Sequence, residues 1–344
     1  MEIVIETIDE IPEQLHTNSW QFNAPALAPS RMAAAAEDPR WLTRWTVARS
    51  GDRVLGILNS RSPRGEQFLN SVLDLRDRTD VLGGAVPDDP RRWAFIGSSG
   101  ELASGALVAA SLPSDEAAEV RTALAAAAFA RAAEGGTYPA ALYVRDGEVA
   151  SFTAALDGRA TVQPVAQAAV LHLNGADLAE HIAALPAKAR ANCRRDLRRF
   201  EELGHTADCV PADEVIAEAT PLVCAIKRKY GVVEHPKLCE FRLRQWTRTL
   251  GPDSCRAAVV RDADGVLLAA SFFALHGPLV ESYEIGLVDD LPGREWYYLQ
   301  TLIHGPVAYA LRQGCRSVDL GLDSSAVKKY RGATLGTAWA ISAA

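Results

Sequence analysis

Basic side chains crowd one short segment near the middle of the chain. Residues 185–200 read LPAKARANCRRDLRRF, and six of the twelve residues 188–199 are Lys or Arg. Pro186 suits the first turn of a helix, and residues four apart share a helix face. One basic stripe of the predicted helix contains Arg190, Arg194 and Arg198, and the neighbouring stripe contains Arg195 and Arg199.

Two interpretations of this basic segment remain open. Guanidinium groups pair with phosphate oxygens through parallel hydrogen bonds, so the helix can bind a phosphate-bearing partner. Alternatively, it presents a solvated face on which Asp196, Glu201 and Glu202 balance the cations, as runs of charge usually do. The candidate phosphate contacts are Lys188, Arg190, Arg194, Arg195 and Arg198.

A second basic run, KRKY at 227–230, ends another predicted helix. Cations at a helix C-terminus complement the helix dipole and need no ligand. A functional role for this run is the alternative.

The last quarter of the chain combines ionisable groups with a strand, helix, strand order. The sequence reads ESYEIG at 281–286, a long apolar stretch at 296–311 and SVDLG at 317–321, and KKYRG follows at 328–332. Carboxylates on strands can act as general bases, and a cation can stabilise an oxyanion. The candidate bases are Glu281, Glu284 and Asp319, and the candidate cation is Lys328. Asp319 can instead cap the end of its strand.

The wider pattern predicts an α/β (α+β) chain in two halves, residues 1–170 and 171–344. Each half shows helices, a hairpin, a strand, a long helix and a further strand, with an additional strand expected near 149–155. Hairpins together with one helix-bridged parallel pair indicate mixed, mostly antiparallel sheets flanked by helices. No GxGxxG at a strand–helix junction and no Walker A sequence occurs, which disfavours NAD and P-loop chemistry.

Composition and charge limit the kinds of function that the protein can have. The 344 residues carry a net charge of −7, yet residues 175–344 hold 21 Lys/Arg and 21 Asp/Glu, and all six lysines lie at or beyond 188. Concentrated cations in the second half are consistent with an anionic partner. The six cysteines show no CxxC pairing, and no apolar run reaches membrane-spanning length. We therefore expect a cytoplasmic protein without metal, disulfide or membrane span.

The last-quarter motifs resemble those of the Fem-type peptidoglycan-bridge aminoacyltransferases and their single-chain GNAT relatives. The similarity rests on Tyr283-x-x-Gly286, the following helix, Val318-Asp-Leu-Gly321 and Lys328-x-x-Arg331-Gly332, and on the basic segment that ends at Gly204. It covers about 170–335, and the N-terminal half resembles the family only in architecture. The resemblance implies two tandem GNAT-like domains, with the acyl-donor cleft in the second and the first on the acceptor side or structural.

The resemblance also assigns roles to individual residues. It places Lys328 beside the acyl ester, Arg331 and Gly332 against phosphate or the terminal adenosine, and Tyr283 and Asp319 along the cleft. The chain departs from the family in having Val327 where an aromatic residue is common. It also lacks the long helical-hairpin insertion of the wall-acting enzymes, which disfavours a contact with the body of a tRNA or a lipid-linked substrate.

Three functions follow from the resemblance. The loop that cradles pyrophosphate in CoA-dependent members reads VDDLPGREW at 288–296, where only Gly293 and Arg294 can contact an anion and Asp289 and Asp290 would repel one. This departure favours transfer of an aminoacyl group from aminoacyl-tRNA to the amine of a small molecule or peptide, with no tightly bound cofactor. An acyl-CoA-dependent N-acyltransferase and a non-catalytic GNAT-fold binding module are the alternatives.

Overall fold

The contacts within the chain define two units in the computed structural model, which describes residues 2–65, 73–98, 100–289 and 291–343. Unit 1 comprises residues 1–167 and 336–344, and unit 2 comprises residues 168–335. The chain passes between the units at residues 167/168 and 335/336. The expected boundary at 170/171 differs from this division mainly in the last strand, which was expected in the second half.

Unit 1 contains a mixed sheet with strand order β1-β3-β4-β5-β7-β14. Among the strand pairings of unit 1 that the structure describes, only β5–β7 is parallel, and helix α3 connects its strands. The strands are β1 (Val4–Ile8), β2 (Trp20–Gln21), β3 (Trp41–Ser50), β4 (Arg53–Pro63), β5 (Trp93–Ile96), β6 (Leu107–Ala109), β7 (Tyr138–Arg145) and β14 (Thr334–Ala343). The helices are α1 (Gln14–Thr17), α2 (Pro29–Ala36), α3 (Ser114–Glu134) and α4 (Asp146–Ala154).

The strand expected near 149–155 is wrong, because this segment forms helix α4. Asp146 and Glu148 lie in its first turn, where acidic side chains complement the helix dipole. The buried residues Glu148, Ser151 and Phe152 recur at helical spacing. The apolar residues between them, such as Val149, produced the false strand signal.

Unit 2 contains a second mixed sheet with strand order β8-β13-β12-β11-β10-β9. The parallel pair β12–β13 is bridged by a helix as the sequence predicts. The strands are β8 (Ala160–His172), β9 (Thr206–Pro211), β10 (Cys255–Arg261), β11 (Leu267–His276), β12 (Leu279–Leu287) and β13 (Ser317–Leu322). The helices are α5 (Leu178–Ala184), α6 (Ala187–Glu202), α7 (Ile216–Lys229), α8 (Pro236–Leu250), α9 (Arg294–Leu299), α10 (Gly305–Arg312) and α11 (Ser325–Lys329).

A π-helical segment, Gln300–His304, joins α9 to α10 in one continuous helix. Pro306 lacks the N–H that would continue the α-helical ladder, and Gly305 donates instead to the carbonyl of Gln300. The wider turn changes the direction in which its side chains project. It places His304 in the interior, with 2% of its surface exposed.

A buried carboxyl in unit 1 makes stability depend on pH. Glu148 is 1% exposed and accepts hydrogen bonds from Asn23 Nδ2 at 2.9 Å and from the N–H of Ala106 at 2.9 Å. Burial raises the pKa of Glu148 from 4.5 to about 7, although the Ala106 N–H and the Arg121 charge act in the opposite direction.

Because the folded pKa lies above the unfolded one, folding favours the protonated carboxyl. The free energy of unfolding should therefore fall as the pH rises from about 4.5 to about 7, by about 3 kcal/mol for this group. Urea unfolding of the wild type and Glu148→Gln at pH 5 and pH 8 isolates the effect. An equal pH dependence in both proteins would contradict the assignment.

Candidate functional site

The two parallel strands of unit 2 separate part of the way along their length. Strands β12 and β13 pair only from Leu279↔Ser317 to Glu281↔Asp319, although β12 continues to Leu287. A bulge between Phe272 and Phe273 of β11 leaves Tyr283 as an extra residue on β12, and a bulge bends its strand. The two strands therefore diverge beyond Glu281 and Asp319.

A cavity of about 430 Å³ lies in unit 2 between α9 and α11. Helix α9 follows the carboxyl end of β12, and α11 follows the carboxyl end of β13. Ligand sites of α/β sheets commonly lie beyond such strand ends. The lining residues are Arg294, Glu295, Trp296, Tyr298, Leu299, Val327 and Arg331. The structure thus brings together Arg294 and Arg331, two of the predicted donor contacts.

Arg331 is held rigidly in the cavity wall. Its Nε and Nη2 donate to the two carboxylate oxygens of Asp196 at 2.8 and 3.0 Å, and Nη1 donates to the carbonyl of Val327 at 3.2 Å. A guanidinium has five N–H groups, so two remain without a partner among the residues that the structure describes. Arg331 can therefore donate to an anion in the cavity while its pair with Asp196 stays intact.

Asp196 lies at the centre of a buried polar cluster. It is 1% exposed, and Nε2 of His304 lies 3.4 Å from its Oδ2. Burial acts to raise the pKa of Asp196, but hydrogen bonds from His304 and Arg331 outweigh it and lower that pKa. His181 is also buried, and burial followed by the His304 charge lowers its pKa. The cluster fixes helix α6 to the segment that follows α11.

The second cation of the cavity, Arg294, pairs with Asp289 at 3.3 Å. The sequence suggested that Asp289 would repel an anion. In the structure it also neutralises the charge of Arg294. Asp290 lies outside the described residues. Gly293, just before α9, has a φ of 82°, a conformation that glycine adopts without strain.

Lys328 is buried and makes contacts within the turn that follows β13. Its Nζ donates to the carbonyls of Leu322 at 3.0 Å and Asp323 at 2.8 Å. Asp323 and Ser324 have left-handed backbone angles, with φ of 56° and 47°, which are costly for residues other than glycine. The ammonium thus stabilises a strained turn next to the cavity residue Val327, and its predicted catalytic role stays a prediction.

The backbone conformation and the close packing at position 332 require glycine. The φ of Gly332 is 97°, and a Cβ there would lie 2.6 Å from Cδ2 of Leu185. Its predicted contact with the donor stays a prediction.

Glu281 and Asp319 lie side by side where the strands separate. Oε2 of Glu281 lies 3.0 Å from Nε2 of His276, a group that can itself accept or donate a proton. Oδ1 of Asp319 accepts from the N–H of Gly321 at 2.8 Å, which is the capping interaction that the sequence allowed. Both side chains are at least nine-tenths buried.

Glu284 and Tyr283, the other predicted site residues on β12, belong to a network of ion pairs and ring contacts. Glu284 pairs with Lys227 at 3.0 Å and with Arg242 at 2.8 Å, and both cations also pair with Glu234. Tyr283 stacks on Trp246 at 4.6 Å and accepts from Arg242 through its hydroxyl. Burial opposes ionisation of Glu234, yet hydrogen bonds from Arg242 and Lys227 lower its pKa to about 2. Lys227 therefore has partners beyond the helix dipole.

The basic helix α6 divides its cations between solvent and the interior. Lys188, Arg194, Arg195, Arg198 and Arg199 are exposed, whereas Arg190 is half-buried and donates to the carbonyl of Ala183 at 2.9 Å. Glu202 pairs with Arg198 and Arg199. Asp196 balances the solvated face only in part, because it is buried and pairs with Arg331 at 2.8 Å, whereas Nη2 of the exposed Arg195 lies 4.0 Å from its Oδ1.

Three site residues were missed or undervalued at the sequence level. Asp196 shares the buried stripe of α6 with Ala189, Cys193 and Phe200, and this helical spacing was a usable signal. Tyr298 lines the cavity, whereas its neighbour Tyr297 packs in the core. His304 gave no sequence signal, because only the π-helical turn brings it to Asp196.

Within the described residues, no three His, Cys, Asp or Glu side chains group as a metal site. No helix in that part of the chain is long and apolar enough to span a membrane. The six cysteines are free thiols.

Comparisons with known proteins test the fold. No protein-family model and no curated protein sequence match the chain. Among solved structures it is similar to FemX, with a TM-score of 0.64, 11% identity and coverage of 98% of this chain and 97% of FemX. L-PGS from Bacillus licheniformis gives a TM-score of 0.55 and 10% identity, over 97% of this chain and 92% of that one.

A tandem GNAT protein from the clavulanic acid biosynthesis pathway matches 99% of this chain and 98% of its own length. Its TM-score is 0.53 and its identity is 15%. Full-length matches of this kind confirm the predicted architecture, in which each half carries a mixed sheet flanked by helices. The chain therefore shares its fold with FemX and with this tandem GNAT protein.

Proposed function

We propose that this protein is an acyltransferase that moves an aminoacyl group from aminoacyl-tRNA to the amine of a small molecule or peptide. The observation that carries the proposal is the cavity of unit 2, which Arg294 and Arg331 line together with Trp296 and Tyr298. Guanidinium groups suit phosphate, and aromatic rings suit a nucleobase. Such a lining matches the terminal nucleotide of a charged tRNA.

The reaction needs no cofactor at this step. The acceptor amine attacks the ester carbonyl, the C–N bond forms, the C–O bond breaks, and the ribose hydroxyl leaves with the proton that the amine gives up. Since the ester is already activated, holding both reactants together supplies much of the rate. We assign to Lys328 the stabilisation of the negative charge on the oxyanion. We assign to Glu281, which is hydrogen-bonded to His276, the removal of the proton from the acceptor amine. Asp319 is the alternative base, and Tyr283 supports the strand beside them.

Arg294 should contribute to donor affinity. Arg294→Met removes a charged donor from the cavity wall, and we expect the KM for the donor to rise about 10- to 100-fold, the size of a lost hydrogen bond between charged groups. The kcat should change little, because phosphate contacts bind ground state and transition state alike. Arg312→Met, at the exposed far end of the same continuous helix, is the matched control.

The exposed face of α6 should contribute a salt-dependent part of tRNA binding. In the triple variant Arg194→Gln, Arg195→Gln, Arg198→Gln, the slope of log affinity against log salt should become shallower by about 2–3, since about 0.7–0.9 counterions are released per phosphate contact. Fluorescence anisotropy with labelled tRNA at several salt concentrations measures it. An unchanged slope would remove α6 from the binding surface.

Transfer itself decides the proposal. The protein is incubated with tRNA charged with labelled amino acids and with the small-molecule fraction of the source cells. We expect label in a product that resists mild alkali, as an amide does and an ester does not, and prior treatment of the tRNA with ribonuclease should abolish it. Product formation that ribonuclease leaves unaffected would refute the tRNA donor.

An acyl-CoA-dependent N-acyltransferase is the second candidate. Its support is the structural neighbour from the clavulanic acid pathway, whose structure is described as being without AcCoA. The same assay with labelled acetyl-CoA distinguishes the two donors. A non-catalytic binding module would give no product with either.

A further inference from the structure

Exposed apolar side chains gather at one place in unit 2. Of the nine large apolar residues that are exposed in the described parts of the chain, five lie between positions 230 and 241. Scattered exposed apolar residues are normal, but a contiguous group marks an interaction surface. We call this group the apolar tip, and its members are Tyr230, Val232, Val233, Leu238 and Phe241.

The geometry of the segment keeps these side chains outward. The tip spans the end of α7, the connecting loop and the first turns of α8. Leu238 and Phe241 are three residues apart on α8, so they share one helix face. Val233 is 87% exposed and Phe241 59% exposed. Burial of an aromatic ring and several aliphatic side chains would remove a large apolar surface area from water.

The loop is fastened to the body of the unit, so the tip is presented on a fixed base. Glu234 lies between Val233 and His235 and pairs with Lys227 of α7 at 2.8 Å and with Arg242 of α8 at 3.0 Å. His235 caps α8 by accepting from the N–H of Lys237. These contacts hold the polar side of the loop inward, which leaves the apolar side chains to face solvent.

The exposed charges beside the tip in its own segment are positive, and the carboxylates of that segment are held in ion pairs. Arg228, Lys229 and Lys237 are exposed beside it. The two carboxylates of this segment are neutralised, Glu234 by Lys227 and Arg242, and Glu240 by Arg244 at 2.8 Å. An apolar group whose own segment presents exposed cations, with its carboxylates held in ion pairs, complements a surface that is apolar beneath and anionic at its boundary, as a bilayer with anionic lipids is.

We propose that the apolar tip inserts into the interface of an anionic lipid bilayer, with Arg228, Lys229 and Lys237 against the lipid headgroups. The proposal does not depend on which acyl donor the cavity accepts.

Sedimentation with lipid vesicles tests this surface without any activity assay. The full chain should bind vesicles of phosphatidylglycerol and phosphatidylcholine in equal parts, and should bind vesicles of phosphatidylcholine alone far less. Raising NaCl from about 0.1 M to about 1 M, which shortens the Debye length from about 10 Å to about 3 Å, should weaken the binding.

Three variants separate the apolar and the charged contributions. Val233→Ser with Phe241→Ser should lower the partition coefficient at least about tenfold, from the lost burial of two apolar side chains. Replacing Arg228, Lys229 and Lys237 by Gln should lower it about 100-fold, because each cation near an anionic membrane contributes about 1 kcal/mol. The matched control is Val266→Ser, 55% exposed in the β10–β11 turn, which should bind like the wild type.

Thermal melts confirm that each variant is folded, which is expected because every replaced side chain is exposed. Failure of the wild type to bind the anionic vesicles would overturn the proposal, as would equal binding by the variants of the tip. Concentration-dependent dimerisation that Val233→Ser with Phe241→Ser abolishes, without vesicle binding, would assign the tip to a second copy of the chain and also overturn it.

Discussion

Replacing Asp196 by alanine should lower the free energy of unfolding by about 3–5 kcal/mol, the range for breaking one side of a buried ion pair. The cost arises because Arg331, 8% exposed, would keep its charge in the interior without the carboxylate that accepts two of its hydrogen bonds. His304, whose Nε2 lies 3.4 Å from the same carboxylate, would lose this neighbouring negative charge. Urea unfolding followed by circular dichroism measures the change.

Glu202→Ala on the same helix is the matched control for Asp196→Ala. Glu202 pairs with Arg198 and Arg199 at the surface, where ion pairs contribute at most about 1 kcal/mol. Because the folded pKa of Asp196 is lowered, its contribution is present at neutral pH and is lost only as the pH falls below its ordinary value of 3.8. Equal destabilisation by the two variants would contradict the central place of Asp196 in the site.

Lys328→Met should lower kcat about 100- to 1,000-fold, the typical effect of removing an oxyanion-stabilising donor. Methionine keeps an unbranched chain in the buried position but removes the positive charge. The KM for the donor should change little, because the oxyanion exists only in the transition state. Steady-state kinetics with charged tRNA and the acceptor separate the two constants.

Lys329→Met is the matched control, because Lys329 is the next residue in the sequence and its ammonium is exposed. Loss of the hydrogen bonds to Leu322 and Asp323 should also destabilise the Lys328→Met protein by about 1.5–3 kcal/mol. Activity is therefore compared well below the melting temperature of both variants. A rise in the KM with an unchanged kcat would make Lys328 a positioning residue of the turn rather than a catalytic one.

Regular elements were predictable where one periodicity dominated. The β12, helix, β13 order followed from apolar runs punctuated by glycine, and the basic helix α6 followed from Pro186 and its spacing. Segment 146–154 misled because its apolar residues suit a strand as well as a helix. Its acidic first turn, with Asp146 and Glu148, carried the information that decides between them.

Site chemistry was less predictable because it depends on distant partners. Arg331 and Asp196 are 135 residues apart in sequence, so no local pattern could pair them. The position of Asp196 on the apolar stripe of α6 indicated burial, but not which cation would meet it. Likewise, the sequence made Glu284 a candidate general base, whereas in the structure Lys227 and Arg242 neutralise its charge.

The identity of the acyl donor is the central claim, and equilibrium binding tests it most directly. The affinity of the wild type and of Arg294→Met should be measured for aminoacyl-tRNA, for the same tRNA without its amino acid, and for acetyl-CoA. The account predicts that the wild type binds charged tRNA most tightly and that Arg294→Met weakens this binding about 10- to 100-fold. Tight binding of acetyl-CoA that Arg294→Met weakens, with no preference for charged tRNA, would contradict it.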